Sequence, residues 1–158
     1  MLTRTPGRLK AFDYTGFHRY FLTFSTNRRQ HLFTTRERIE VVLKQFLRSA
    51  TEEGFAIIAY CFMPDHVHLL IEGRYESSDC RRFVGRAKQF TGYHYSRAFG
   101  RRLWQRYGFD RVLRSDEAAL VAARFVLENP VRAGLVRRVE EYPFLGSTTH
   151  AIEEILEA

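Results

Sequence analysis

Cysteines and long apolar runs are both scarce in this 158-residue chain. Its two cysteines, Cys61 and Cys80, are too few for the disulfide framework of a small secreted protein, and no Cys-x-x-Cys pair indicates zinc. No stretch of about 18 apolar residues occurs, so we predict no membrane span. Residues 1–10 are basic and lack the apolar segment of a secretory signal. These absences favour a reduced, cytoplasmic protein.

Acidic residues are nearly absent from residues 81–114, which contain ten lysines or arginines and one acid, Asp110. Aromatic residues alternate with the cations there. This combination is typical of a surface that follows phosphates and stacks the bases of single-stranded or irregular nucleic acid. The predicted contacts are Arg81, Arg82, Arg86, Lys88, Arg101, Arg102, Trp104 and Arg106. Alternatively, the aromatic residues form the core and the arginines only raise solubility.

Residue patterns predict four strands. Residues 18–25 are rich in aromatic and β-forming types, and residues 55–63 form an apolar run typical of a strand buried on both faces. Pro64 and Asp65 then make a tight connection to a third strand that begins at His66. Residues 103–113 alternate as a fourth strand.

Three helices are predicted between and after these strands. The first follows a Thr-x-x-Glu capping box at Thr34 and ends at Gly54. The second starts with Ser78 as its N-cap and runs to about residue 99. The third covers residues 116–128, capped by Ser115 and ended by Asn129-Pro130.

The resulting order is strand, helix, strand, strand, helix, strand, helix. It predicts an α+β fold, a ferredoxin-like sandwich whose antiparallel sheet has its helices packed on one face. We expect one domain over residues 1–158, with its core at about residues 18–147.

His66 and His68 are two residues apart at the start of the third strand. Side chains alternate along a strand, so both imidazoles point to one face, while Val67 and its apolar neighbours point to the other. Two imidazoles converging from a rigid strand form half of a divalent metal site. The alternative is a chance pair whose rings are only hydrogen-bonded.

Two segments resemble one known family. Residues 63–70 (MPDHVHLL) are similar to the His-hydrophobe-His motif of the single-tyrosine, HUH-type transposases, and residues 129–136 (NPVRAGLV) resemble a segment of their REP-associated branch. The resemblance covers about residues 20–147. Further matching segments are residues 28–29, 32–33, 103–105 and 142–144.

The resemblance implies a chemistry for the histidines. In that family they hold Mg²⁺ or Mn²⁺, which polarises a phosphate of single-stranded DNA beside a hairpin, and a helix tyrosine attacks to leave a 5′-phosphotyrosine link and a free 3′-hydroxyl. His66 and His68 match the metal pair, and Asn129 matches the third ligand. The implied partner is therefore hairpin-bearing single-stranded DNA, bound by a monomer or a homodimer.

The position of the nucleophile is different in this chain. It lies four residues before Asn129, where this chain has Phe125, and the predicted helix contains no tyrosine. The family's histidine two residues later is replaced by Leu127. We therefore expect a DNA-processing transposase relative that is catalytically impaired.

Several alternatives stay open. Phe125 can be a core residue in a misjudged register, or Tyr93 or Tyr95 can act as the nucleophile. The chain can be a non-catalytic hairpin- or single-strand-binding protein. A hydrolase that activates water at His66 and His68 is a further option, although no other histidine has ligand spacing.

Overall fold

The structure, a computed structural model, describes residues 2–3, 14–106 and 111–158. Over this part of the chain a six-stranded sheet has the order β1-β5-β2-β4-β3-β6, and every neighbouring pair is antiparallel. The strands are β1 (Leu2–Thr3), β2 (Arg19–Ser25), β3 (Phe55–Met63), β4 (His66–Gly73), β5 (Arg111–Ser115) and β6 (Leu145–Gly146). The helices are α1 (Arg36–Glu53), α2 (Cys80–Phe99), α3 (Ala119–Leu127), α4 (Asn129–Arg132) and α5 (Ile152–Leu156).

The sheet separates two apolar clusters. One face of β2 and β4 packs with α1 and α2 in a large cluster that includes Leu22, Phe46 and Leu69. The other face carries Leu70 and contacts α3 and α5 through a smaller cluster that includes Val126. The predicted antiparallel α+β architecture is confirmed, and the two long helices share one face. The late helix α3 covers part of the opposite face, which explains why β3 is apolar on both sides.

Helix ends differ from the predictions by one to three residues. Thr35, not Thr34, caps α1 by accepting a hydrogen bond from the Arg38 N–H. Asp79 caps α2 by accepting from the backbone N–H groups of residues 81 and 82, while the predicted cap Ser78 is buried and donates to the Gly54 carbonyl. The predicted C-cap of α1, Gly54, is confirmed, because its φ of 76° lies in the left-handed region.

The fourth strand and the third helix begin later in the structure than the sequence predicts. β5 spans only Arg111–Ser115, and Ser115 pairs with Arg19 instead of capping a helix, so α3 begins at Ala119. Upstream, Trp104 forms an isolated bridge with Thr26. The predicted strand thus follows β2 at both of its ends, and its middle, residues 107–110, lies outside the described residues. The basic segment of residues 1–10 is likewise described only at residues 2–3.

Trp104 belongs to the core. Its ring is 5% exposed and packs against Phe24, Phe33 and Phe46, with ring centroids 5.6 to 6.2 Å apart. The indole N–H donates to the Thr91 hydroxyl at 2.8 Å. The predicted role of Trp104 as a nucleic-acid contact is therefore wrong, because its stacking faces are already occupied.

Both cysteines are buried and free. Burial raises the pKa of the Cys61 thiol to about 12. No helix of the described residues is long and apolar enough to cross a membrane.

Replacing Trp104 with alanine is expected to lower the free energy of unfolding by about 3–5 kcal/mol, because it leaves a cavity among three phenylalanines. Urea unfolding followed by far-ultraviolet circular dichroism measures this loss. Arg101→Ala, an exposed change in the same loop, is the control and should stay within about 0.5 kcal/mol of the wild type. A similar small loss for both variants would contradict the core position of Trp104.

Candidate metal and nucleic-acid site

His66 and His68 lie on the face of β4 that is turned toward α3. In the sheet register His66 is between Ser25 and Met63, and His68 is between Thr23 and Cys61. The intervening Val67 is fully buried on the opposite face. The predicted alternation is confirmed, and the antiparallel neighbours fix both histidine backbones.

The two imidazoles converge through their Nε2 atoms, which are 3.0 Å apart. The ring centroids are 4.7 Å apart, and the ring planes are inclined at 87°. With one ring protonated at Nε2 this contact is a hydrogen bond. With both Nε2 atoms unprotonated, two lone pairs point into one small region.

Each Nδ1 atom is held by a separate partner. The His66 Nδ1 is 2.6 Å from the Asp65 carboxylate, and the His68 Nδ1 is 3.1 Å from the Thr23 hydroxyl. Arg29 in turn donates to the other Asp65 oxygen at 3.1 Å. Outer contacts of this kind fix the tautomer and the orientation of ligating histidines. The partners of the two Nδ1 atoms thus leave the two Nε2 atoms facing each other.

The environment keeps His68 neutral. Burial, followed by the charges of His66 and Arg132, lowers the pKa of His68 to about 3. Burial alone would raise the pKa of Asp65, but hydrogen bonds from His66 and Arg29 outweigh it and hold this pKa below its usual value. A neutral imidazole beside a carboxylate-oriented one is suited to cation binding.

The end of α3 and the start of α4 carry the other two predicted positions. Phe125 is 57% exposed, whereas Ala122, Ala123 and Val126 form the buried face of the helix. The alternative that Phe125 is a core residue is therefore wrong. The Asn129 side chain donates to the Val126 carbonyl at 3.0 Å. No contact of the described residues joins Asn129 to the histidines, so its role as a third ligand stays a prediction.

Arg132 is a residue of this region that the sequence analysis missed. Its guanidinium lies 4.0 Å from the centroid of the Phe125 ring and donates to the Phe125 carbonyl and to the Asn129 side-chain oxygen. Because its charge also acts on His68, Arg132 links the helix end to the histidine pair. Arg132 belongs to the family-like segment of residues 129–136, but no sequence pattern predicts these contacts.

The predicted DNA-binding cations form two groups. Lys88, Arg101, Arg102 and Arg106 line an open groove of about 580 Å³ beside the end of α2. The other three lie on the first half of α2. Of these, Arg82 and Arg86 form ion pairs with Glu53, at 3.1 and 4.0 Å, and Arg81 is exposed.

The backbone places this groove near the histidine end of the sheet. The Asn27 N–H donates to the Leu103 carbonyl, and the Thr26 N–H donates to the Asp65 carbonyl. The groove loop and the turn before His66 are thus joined through one short segment of chain. The loop that carries Arg101, Arg102 and Arg106 therefore lies near the turn that precedes the predicted metal pair.

The alternative tyrosines are poorly placed. Tyr93 and Tyr95 are on α2, across the sheet from the histidines, and Tyr95 is fully buried with its hydroxyl accepting from Arg38. Tyr142 donates its hydroxyl to the Phe62 carbonyl, and burial raises its pKa, which disfavours the nucleophilic phenolate. Groups of three or more His, Cys, Asp or Glu suited to a metal are absent from the described residues.

The family of the chain follows from comparison with known proteins. The model of the family described as Transposase IS200 like matches residues 16–118, more than half of the sequence. The chain therefore belongs to this transposase family, as the two motifs predicted.

Individual relatives agree with this assignment. A REP-associated tyrosine transposase of Escherichia coli (strain K12) is 28% identical over 135 residues, covering 83% of this chain and 75% of that protein. A Haemophilus influenzae Rd protein that provisionally carries the same name is 23% identical over 151 residues, covering 84% and 81%. The solved structure of a REP-associated tyrosine transposase bound to a REP hairpin has a TM-score of 0.65 at 22% identity, covering 85% of this chain and 79% of that chain. The last match shows a shared fold.

Replacing His68 with glutamine is expected to flatten the pH dependence of stability between about pH 6.5 and 5. The unfolded chain binds a proton on His68 near its ordinary pKa of 6.5, and the folded chain binds it only near pH 3. Protonation therefore favours unfolding. As the pH is lowered below about 6.5, the free energy of unfolding decreases by up to about 1.4 kcal/mol per pH unit for this one group. Urea unfolding in metal-free buffer measures the slope. An equal slope in both proteins would contradict a neutral His68.

Proposed function

We propose that this protein binds hairpin-bearing single-stranded DNA, holds a divalent cation at His66 and His68 beside a DNA phosphate, and lacks a nucleophile of its own. The observation that carries the proposal is the convergence of two Nε2 atoms whose Nδ1 partners are already fixed. The class of reaction is phosphoryl transfer in DNA strand processing, and its covalent step is disabled.

The geometry of the imidazoles suits an octahedral ion. Two ligand atoms at about 2.1 Å from one ion and at right angles are about 3.0 Å apart, which is the separation of the two Nε2 atoms. Mg²⁺ and Mn²⁺ bound by few protein ligands complete their shells with water and phosphate oxygens. His66 and His68 would hold the ion, and the Asn129 side-chain oxygen is the proposed third ligand.

The bound ion would supply Lewis-acid polarisation of a phosphate and neutralisation of its charge. The chain supplies the rest of the positioning. Asp65 and Thr23 keep the two rings in place, and Arg132 adds a positive charge on the side of α4.

The proposed DNA surface is the groove lined by Lys88, Arg101, Arg102 and Arg106. Cations on one groove bind phosphates by releasing counterions, without requiring a particular sequence. The structural relative with a REP hairpin supports a hairpin as the ligand. The loop that carries the arginines is hydrogen-bonded to Asn27, and the adjacent Thr26 is hydrogen-bonded to the turn before His66. A bound hairpin would therefore direct its single-stranded flank toward the metal pair.

Phe125 explains why the covalent step is disabled. A tyrosine nucleophile forms an O–P bond, the P–O3′ bond breaks, and the phenolic proton ends on the 3′-oxygen. Phenylalanine has no oxygen for this bond. Tyr93 and Tyr95 are on α2, across the sheet from the histidines, and the Tyr142 hydroxyl is already hydrogen-bonded to the Phe62 carbonyl.

The second candidate is a DNA-binding protein without any metal chemistry. The basic groove favours this candidate, since Arg101, Arg102 and Arg106 are exposed and can bind phosphates without a metal ion. The two candidates differ in whether the histidine pair contributes to DNA binding in the presence of the cation.

Asp65→Asn is expected to weaken Mn²⁺ binding by about 10- to 100-fold, because the His66 ring loses the carboxylate that orients it. Isothermal titration calorimetry of the DNA-free protein measures this affinity. Glu40→Gln, an exposed change on α1, is the control and should bind as the wild type does. Absence of Mn²⁺ binding by the wild type, with DNA binding retained in His66→Ala/His68→Ala, would establish the second candidate instead.

Phe125→Tyr is expected to restore a covalent protein–DNA adduct that the wild type does not form, since only one oxygen is missing. A labelled pool of DNA hairpins with randomised single-stranded flanks is incubated with Mn²⁺ and resolved on a denaturing gel. The adduct should disappear in Phe125→Tyr/His68→Ala and persist in Phe125→Tyr/Tyr93→Phe. A wild-type adduct lost on changing Tyr93 or Tyr95 would overturn the proposed defect. No adduct with Phe125→Tyr would show that more than the hydroxyl has been lost.

A further inference from the structure

The ring of Phe125 is an exposed aromatic surface beside the histidine pair. It is 57% exposed, and the Arg132 guanidinium at 4.0 Å covers one of its faces. Phe21 of β2 contacts it at 6.0 Å between centroids in an edge arrangement. Arg132 and Phe21 thus hold the ring in place, and more than half of the side chain is accessible to solvent.

An open cavity of about 490 Å³ adjoins this ring. Phe21, Leu113 and Phe125 are its apolar lining residues, and its polar lining residues are Arg114, Ser115, Asp116 and Glu117. A volume of this size is in the range of small-molecule sites. The two carboxylates of this lining can accept hydrogen bonds from the exocyclic amino group of a nucleobase.

The cavity lies within reach of DNA bound at the histidines. Phe21 and Thr23 are two residues apart on the same face of β2, so their Cα atoms are separated by about 7 Å. Thr23 is hydrogen-bonded to His68, and Phe21 contacts Phe125. A base attached to a phosphate at the histidine pair, or to the next phosphate along the strand, can therefore reach the ring.

We propose that Phe125, at the position of the missing nucleophile, is a stacking platform that binds one unpaired nucleobase of the strand held at the histidine pair. The inference rests on the proposed function, since the histidine pair supplies the phosphate that brings the base close. The occupant is a base and not a protein surface, because the apolar lining of this cavity consists of only three residues, next to charged ones. Stable protein partners need a much larger contact area. Arg132 neutralises the phosphate next to the stacked base.

Stacking makes a prediction that depends on the base and not on the phosphate. Binding of a labelled eight-nucleotide oligodeoxycytidylate is compared, by fluorescence anisotropy with Mn²⁺ present, with binding of an abasic strand of equal length. Phe125→Leu should weaken binding to the first strand by about 5- to 150-fold, the value of one base–aromatic stack. It should leave the abasic strand unaffected. Phe125→Trp should bind both strands as the wild type does.

The controls separate this inference from the proposed function. Leu47→Ala removes an exposed apolar side chain from α1, on the other side of the sheet, and should change neither affinity. Equal affinity of Phe125→Leu and wild type for the cytidylate strand, or equal losses on both strands, would overturn the stacking role. In either case a loss caused by His68→Ala would leave the proposed function intact. A wild type that binds neither strand overturns the stacking role. If it also fails to bind a hairpin-bearing strand, the proposed function falls with it. A dimer that dissociates on Phe125→Leu would assign the ring to self-association instead.

Discussion

The antiparallel register of β2 and β4 is the constraint on which the candidate site depends. Thr23 is directly opposite His68, so its hydroxyl reaches the His68 Nδ1 atom. Ser25, the last residue of β2, is opposite His66, so β2 ends beside the turn that carries Asp65. A shift of one residue would move both imidazoles to the face occupied by α1 and α2. The apolar side chains of Val67, Leu69 and Ile71 prevent that shift, since they would lose their buried contacts. The packing of the core thus fixes the position of polar groups that do not belong to it.

The two faces of the sheet carry different sets of residues. The side with α1 and α2 contains the larger core and carries most of the predicted cations on its outer helix surface. The side with α3 contains the histidine pair, Arg132 and Phe125, with only a small apolar cluster beneath them. The loop before residue 106 connects the two sides by pairing with the end of β2.

Much of the fold could be predicted from the sequence, because alternation and helical spacing are local properties. The strand Phe55–Met63 and the C-cap Gly54 agree with the prediction residue by residue. Trp104 and Ser115 were misplaced for a different reason. Whether an aromatic residue among arginines is exposed depends on which elements pack over it, and Trp104 is covered by residues distant in sequence. Likewise, Ser115 extends a strand because Arg19 pairs with it, and this partner is almost a hundred residues away. In the site, His66 and His68 were evident from spacing, whereas the contacts of Arg132 depend on the turn between α3 and α4.

The burial pattern of α3 has a consequence for how this chain can change over time. The helix is anchored by Ala122, Ala123 and Val126, while the ring at position 125 faces outward. Folding therefore distinguishes little between phenylalanine and tyrosine at this position, since more than half of the side chain is exposed. Stability alone would therefore not preserve a phenolic oxygen at this position. Under the proposed function, a single substitution there would remove the covalent step while the strands, the helices and the histidine pair remain as before.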